Sequence, residues 1–122
     1  MIAAQPRPGS GVHRLVWIYI RVSAVLMVGL VVGHLYIMHI VNSTDAIDFQ
    51  FVAQRFATPF WRIYDALILF FALSHGLLGV RGIFDDYIGT PRRRAVAEAV
   101  LWIVGAAFFF LGALVLITFR PP

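Results

Sequence analysis

The residues best suited to chemistry in this sequence lie in one apolar segment, where a histidine is followed by glycines, an acid and a tyrosine. His75 stands near the middle of this segment, and Asp86 and Tyr87 follow where the segment ends. An imidazole inside hydrocarbon is costly without a partner, and a metal is its commonest strong partner. The sequence has no cysteine, and the metal most often held by histidine in such helical bundles is haem iron.

The spacing around His75 predicts a helix surface that a bulky group can approach. On a helix, His75, Gly79, Gly82 and Asp86 fall on one face. Glycines on such a face allow the close approach of either a flat macrocycle or a second helix. The pattern alone therefore leaves two interpretations open, a haem edge beside His75 or a groove for helix packing.

Tyr87 also has two interpretations. It lies roughly 18 Å from His75 if the helix continues at about 1.5 Å per residue, which places it at the membrane interface. Tyrosine is common at such interfaces without any catalytic reason. The functional alternative is a phenol that donates a hydrogen bond to a quinone carbonyl, while the neighbouring Asp86 helps protons to enter.

Three long apolar stretches must position these residues. Of the 122 residues, 61% are hydrophobic and only 13% are charged, and the mean hydropathy is +0.85. Each stretch supplies the ~20 residues that a helix needs to cross a bilayer, whereas the alternation of a membrane β-barrel is missing. We therefore predict an all-α membrane protein with three transmembrane helices. The predicted segments are a flexible lead (1–12), one anchor domain (13–120), transmembrane helices over about 14–41, 59–84 and 94–119, and a short surface helix over 48–57.

The charge distribution predicts the orientation of these helices. All ten basic residues are arginine, and they concentrate near the N-terminus and in the loop 85–94. The positive-inside rule then places the N-terminus and the loop 85–94 in the cytoplasm. We expect a multi-pass protein of the cytoplasmic (inner) membrane. A nucleic-acid partner is not expected for so apolar a chain. Three helices cannot shield Arg21, Asp65 and His75 from lipid, so we expect a subunit of a larger bundle.

The run His-x3-Gly that begins at His75, together with Asp86-Tyr87, resembles the second helix of the small membrane-anchor subunit of succinate dehydrogenase. The resemblance implies that His75 is an axial ligand of haem b. It also implies that Tyr87 contacts ubiquinone or menaquinone close to an iron–sulfur cluster, with Asp86 beside it in the same site. The run 20–24 resembles the family's arginine near the haem propionates and the quinone pocket, which assigns Arg21 to a propionate.

The resemblance also implies partners and a function. A second small membrane-anchor subunit, an iron–sulfur subunit and a flavoprotein subunit would complete the complex, and FAD and the iron–sulfur clusters would lie on those partners. The chain would then be the anchor of a succinate:quinone oxidoreductase, without catalysis of its own in isolation. Two alternatives remain open: the anchor of a quinol:fumarate reductase, and a cofactor-free three-helix scaffold in which His75 only packs helices.

Several other polar residues have competing interpretations. Some relatives of the family hold two haems, which makes His34 a candidate ligand of a second haem. Arg81 is positioned to reach either a haem propionate or the lipid headgroups. Arg62 and Asp65 are three residues apart and are predicted to pair on one side of their helix, with a partner subunit or the headgroups as alternatives. The run 92–94 is predicted to anchor the chain on anionic membrane lipid, or to dock a soluble partner.

Overall fold

A computed structural model describes residues 11–120. Four α-helices make up most of this region, and a π-helical turn and a short 3₁₀ helix follow the first of them. Their bounds are α1 Gly11–Tyr36, the π-helical turn Ile37–Val41, the 3₁₀ helix Thr44–Ala46, α2 Phe49–Ala57, α3 Pro59–Tyr87 and α4 Pro91–Thr118. Residues 1–10 of the predicted flexible lead lie outside the described region, and Gly11 already belongs to α1.

Three of these segments are long and apolar enough to cross a membrane. They are Gly11–Val41, Pro59–Tyr87 and Pro91–Thr118, with 31, 29 and 28 residues respectively. Residues 11–120 contain no strand, so the predicted all-α class with three transmembrane helices is confirmed. The predicted cytoplasmic position of the N-terminus stays a prediction.

Local sequence signals determine where the later helices begin. Pro59 and Pro91 occupy the first turns of α3 and α4, where a missing backbone N–H costs no helical hydrogen bond. Asp48 caps α2, because its Oδ1 accepts a hydrogen bond of 2.8 Å from the backbone N–H of Phe51. The predicted short helix after the first span is thereby confirmed.

Helix α3 packs against both α1 and α4. It runs antiparallel to α1, and the Tyr64 hydroxyl donates a hydrogen bond of 2.6 Å to the Leu30 carbonyl across that interface. A Cβ added at Gly33 would come within 2.6 Å of the Tyr64 Oη. A Cβ added at Gly105 of α4 would likewise come within 2.6 Å of the Leu77 Cδ1. Glycine at these positions therefore lets the helices approach closely.

Helix α2 lies across one end of the bundle, which we call the Asn42 end because Asn42 terminates the first span there. The opposite end, where α3 stops, is the Tyr87 end. Phe56 of α2 is buried, and its ring meets that of Phe119 edge-on, with the centroids 5.7 Å apart. The amphipathic α2 thus covers the ends of α3 and α4.

The predicted pair between Arg62 and Asp65 is wrong. Arg62 instead donates hydrogen bonds to the carbonyls of Phe56, Leu116 and Phe119. These carbonyls lie at the C-terminal ends of α2 and α4, where helical partners are missing. A guanidinium has five donors in a planar fork and can serve several such acceptors at once. The spacing of three residues between Arg62 and Asp65 therefore did not determine the partner of Arg62. The unpaired carbonyls of two neighbouring helices did.

Most large apolar side chains of the long helices face outward. Large exposed hydrophobic residues occur along α1, α3 and α4 alike, and within the described region only Ala53 and Phe56 form a buried hydrophobic core. A water-soluble protein does not expose continuous apolar surface of this kind. The outer surface of the bundle is therefore suited to lipid and to other membrane subunits.

Candidate functional site

The candidate site is centred on His75, in the middle of α3. Its ring nitrogen Nδ1 lies 2.9 Å from the hydroxyl oxygen of Ser23 on α1. Ser23 is completely buried. One residue earlier on α3, Ser74 is hydrogen-bonded to the phenol of Tyr19. Two neighbouring side chains of α3 are thus tied to α1, and the contact with Ser23 restricts rotation of the imidazole.

The imidazole of His75 borders a groove on the side of α1. The groove encloses a cavity of about 370 Å³. Its other walls are apolar side chains of α1: Ala24, Met27, Val28, Val31 and Val32. Within residues 11–120, Nδ1 is hydrogen-bonded to Ser23 whereas Nε2 has no hydrogen-bond partner. A histidine that offers one nitrogen beside an apolar wall fits the requirement of an axial haem ligand.

The glycines that follow His75 leave an open helix face. A Cβ added at Gly76, Gly79 or Gly82 would meet no atom within 4 Å. All three glycines are exposed, in contrast to the glycines that pack helices inside the chain. The described helices of this chain therefore leave clearance along α3 beside and beyond His75, as the spacing predicted.

Asp86 and Tyr87 lie at the last residues of α3. Both are exposed, and Tyr87 exposes 84% of its surface. Asp85, the residue before them, is instead paired within the chain, since its Oδ1 lies 3.6 Å from Arg94 Nε. Arg94 also donates a hydrogen bond of 2.8 Å to the Ile88 carbonyl. Arg94 of the predicted 92–94 surface therefore secures the α3–α4 turn, whereas Asp86 and Tyr87 stay accessible.

Two arginines predicted near a haem propionate occupy different surroundings. Arg21 is exposed, and its guanidinium stacks on the Trp17 ring, 3.5 Å from the ring centroid. Arg81 is turned toward α4, where its Nε lies 3.5 Å from Glu98 Oε1. Glu98 could not be paired with Arg81 from the sequence, since only the packing of α3 on α4 brings the two residues together. Arg21 is thus available to a propionate, whereas Arg81 already has an acidic neighbour.

His34, the predicted ligand of a second haem, belongs to a polar cluster near the Asn42 end. Its Nδ1 lies 3.7 Å from Asp65 Oδ1. The same carboxylate oxygen accepts a hydrogen bond of 3.1 Å from Arg55 Nη2. Arg55 is buried, and its guanidinium lies 4.1 Å from the centroid of the Trp61 ring. His34 therefore has a charged neighbour in its own chain, unlike His75.

A bare metal ion in the described part of the chain would need a group of side chains as its ligands. Within residues 11–120, no group of three or more histidine, cysteine, aspartate or glutamate residues is arranged to hold a metal. A haem needs only one protein ligand from each of two chains. The geometry around His75 is therefore compatible with a haem whose second ligand comes from another chain.

Comparison with known proteins identifies the family of the chain. The sequence model described as succinate dehydrogenase/fumarate reductase transmembrane subunit matches residues 8–114. The succinate dehydrogenase hydrophobic membrane anchor subunit of Archaeoglobus fulgidus is 28% identical over 103 residues, which cover 84% of this chain and 87% of that relative. The family expected from His75, Asp86 and Tyr87 is confirmed. The chain therefore belongs to the succinate dehydrogenase/fumarate reductase transmembrane subunit family.

Proposed function

We propose that the chain is the membrane anchor of a succinate:quinone oxidoreductase, and that it supplies one haem b ligand and one wall of a quinone site. This proposal rests on the surroundings of the His75 imidazole. Its Nδ1 is held by a buried serine at 2.9 Å, its ring borders an apolar groove, and an open glycine face continues from it. A helix-packing histidine would instead be enclosed by its own bundle.

The residues of this chain would hold the haem from one side. His75 would ligate the iron through Nε2, and Arg21 would pair with a propionate in place of its stacking on Trp17. A bound haem with two histidine ligands supplies one-electron transfer and has no open position for oxygen. The second histidine would come from the second small anchor subunit, which would cover the open face of α3.

The Tyr87 end would form one wall of the quinone site. The Tyr87 hydroxyl is exposed and can donate a hydrogen bond to a quinone carbonyl. Reduction of a quinone consumes two electrons and two protons, so the site must remain open to water. Asp86 is exposed beside Tyr87 and is suited to deliver protons there.

The proposed partners supply the remaining chemistry. A flavoprotein subunit with FAD would oxidise succinate, and an iron–sulfur subunit would pass the electrons to the quinone at the Tyr87 end. The exposed Arg92 and Arg93 would face anionic lipid or that soluble partner. Quinol:fumarate reduction would use the same residues in the opposite direction. Because succinate would be oxidised on the flavoprotein partner, the chain alone is expected to have no succinate dehydrogenase activity.

The haem content of the complex tests the proposal. The complex is purified through a tag on this chain, and haem is quantified per chain by pyridine haemochrome in wild type, His75→Ala and His39→Ala. We expect one b-type haem per chain in wild type, near-complete loss in His75→Ala, and no loss in His39→Ala, which alters an exposed histidine at the Asn42 end. A second haem that disappears in His34→Ala would assign His34 as its ligand. Full haem content in an assembled His75→Ala complex would contradict the proposal.

A further inference from the structure

Ser23 contacts both a backbone carbonyl of its own helix and the imidazole of His75. A serine hydroxyl has one hydrogen to donate and two lone pairs to accept with. The Ser23 Oγ lies 3.1 Å from the Ile20 carbonyl oxygen in its own helix, and a carbonyl can only accept. We assign the serine hydrogen to the Ile20 carbonyl, because this is the bond that serine commonly makes inside a helix.

The second contact of Ser23 must then run in the opposite direction. The Oγ lies 2.9 Å from the His75 Nδ1, and its remaining capacity is to accept. The His75 Nδ1 consequently carries the proton and donates it to Ser23. In a neutral imidazole this leaves the lone pair on Nε2, which is the form that a metal requires.

We infer that Ser23 is the positioning residue of the haem ligand, holding His75 as the Nδ1-protonated tautomer with Nε2 available for iron. This inference rests on the proposed function, since it concerns the same haem. Ser23 is completely buried, so water cannot replace it as the acceptor. The adjacent bond between Tyr19 and Ser74 ties α1 to α3 at the same level without contact to the imidazole.

The hydrogen bond should also affect the haem electronically. An acceptor on the outer N–H of a ligating histidine makes the ligand more basic, and such outer partners commonly change metal affinity by about 10–100-fold. A more basic ligand stabilises ferric over ferrous iron. Loss of the Ser23 hydroxyl should therefore weaken haem binding and shift the midpoint potential to more positive values.

The test compares three variants of the intact complex. Ser23→Ala removes the acceptor, and Ser23→Cys keeps a side chain of similar shape with a much weaker acceptor. Ser74→Ala removes the neighbouring bond between α1 and α3 and leaves the contact to His75 in place. Haem retention under dilution and optical redox titration of the haem band are measured for each variant.

We expect about tenfold weaker haem retention in both Ser23 variants, and a potential raised by about 59 mV if the ferric preference falls tenfold. Ser74→Ala should keep the potential of wild type. An unchanged potential in the Ser23 variants, or an equal shift in Ser74→Ala, would overturn the inference. If His75→Ala keeps its haem, the proposed function itself fails. If His75→Ala loses haem and both Ser23 variants behave as wild type, only the role of Ser23 fails.

Discussion

Two regions of this molecule differ in whether their polar side chains have partners within the chain. At the Asn42 end, the buried Arg55 and the carboxylate of Asp65 meet each other at 3.1 Å, and Arg62 bonds to carbonyls of two other helices. From His75 to Tyr87, Arg81 and Asp85 pair with residues of α4, whereas the His75 ring borders a groove and Asp86 and Tyr87 face the exterior. The polar groups at the Asn42 end thus have their partners within the chain, whereas the His75 ring, Asp86 and Tyr87 remain accessible to molecules outside it.

The difference shows why a polar residue in a membrane helix cannot be assigned a role from its type alone. His34 and His75 are both histidines inside apolar helices, and both are candidates for haem ligation. The structure places His34 3.7 Å from an acid that also binds Arg55, and it places His75 beside one buried hydroxyl and an apolar wall. The surroundings of each imidazole, and not its depth in the helix, therefore separate the two candidates.

The largest expected effect comes from breaking the polar cluster of the Asn42 end. Asp65→Ala removes the carboxylate from Arg55, whose side chain is only 5% exposed. Removing one partner of a buried ion pair leaves an uncompensated charge and typically costs about 3–5 kcal/mol. We expect a clear loss of thermal stability of the purified complex in mild detergent.

Asp45→Ala is the matched control for Asp65→Ala, because Asp45 is an exposed acid near the same end. It should change the melting temperature by little. Equal stability of the two variants would mean that the cluster around Asp65 does not hold this end of the bundle together.

Two glycine substitutions should affect the stability of the two regions differently, with effects of intermediate size. In Gly33→Ala the new Cβ would lie 2.6 Å from the Tyr64 Oη, so it should displace the hydrogen bond from Tyr64 to Leu30 and destabilise the bundle by roughly 1–3 kcal/mol. In Gly79→Ala the new Cβ meets nothing within 4 Å in the chain, so the stability of the isolated chain should be kept. Thermal unfolding of the isolated chain in detergent measures both effects.

The same Gly79→Ala variant should reveal what covers the open face. We expect reduced haem content and weaker retention of the second anchor subunit in the purified complex. The added methyl group would prevent the haem and that subunit from packing closely against α3. A Gly79→Ala complex with normal haem and normal subunit composition would show that this face stays open in the assembly.

The smallest effect is expected at the Tyr87 end. Tyr87→Phe removes one hydroxyl that is exposed in this chain, and a hydrogen bond of about 1 kcal/mol corresponds to roughly a fivefold loss. We expect the succinate-dependent reduction of a quinone analogue to fall by about that factor, with haem content and thermal stability unchanged. Tyr36→Phe, at an exposed tyrosine of α1, is the control and should keep the full rate. Identical rates for both variants would favour an interfacial role for Tyr87.

Hydropathy and turn residues were sufficient to predict the helices, because the length of an apolar run and the first-turn prolines act locally. The helix that contains His75 and the short helix α2 were both predicted in this way. The contact between Ser23 and His75 could not be predicted, since it depends on the register of α1 against α3. The partner of Asp65 was missed for a similar reason. Spacing within α3 indicated Arg62, whereas Arg55 reaches Asp65 only after α2 folds back over the bundle end.

The carbonyl contacts of Arg62 have a consequence for the order in which the chain is assembled. Arg62 precedes its acceptor Leu116 by 54 residues and its acceptor Phe119 by 57. During synthesis the guanidinium therefore enters the membrane interface well before these acceptors exist. Until the last turn of α4 is inserted, the charge of Arg62 must be satisfied by water or headgroups. This end of the bundle can therefore close only after the last turn of α4 has been made, and a chain synthesised only as far as α3 cannot complete it.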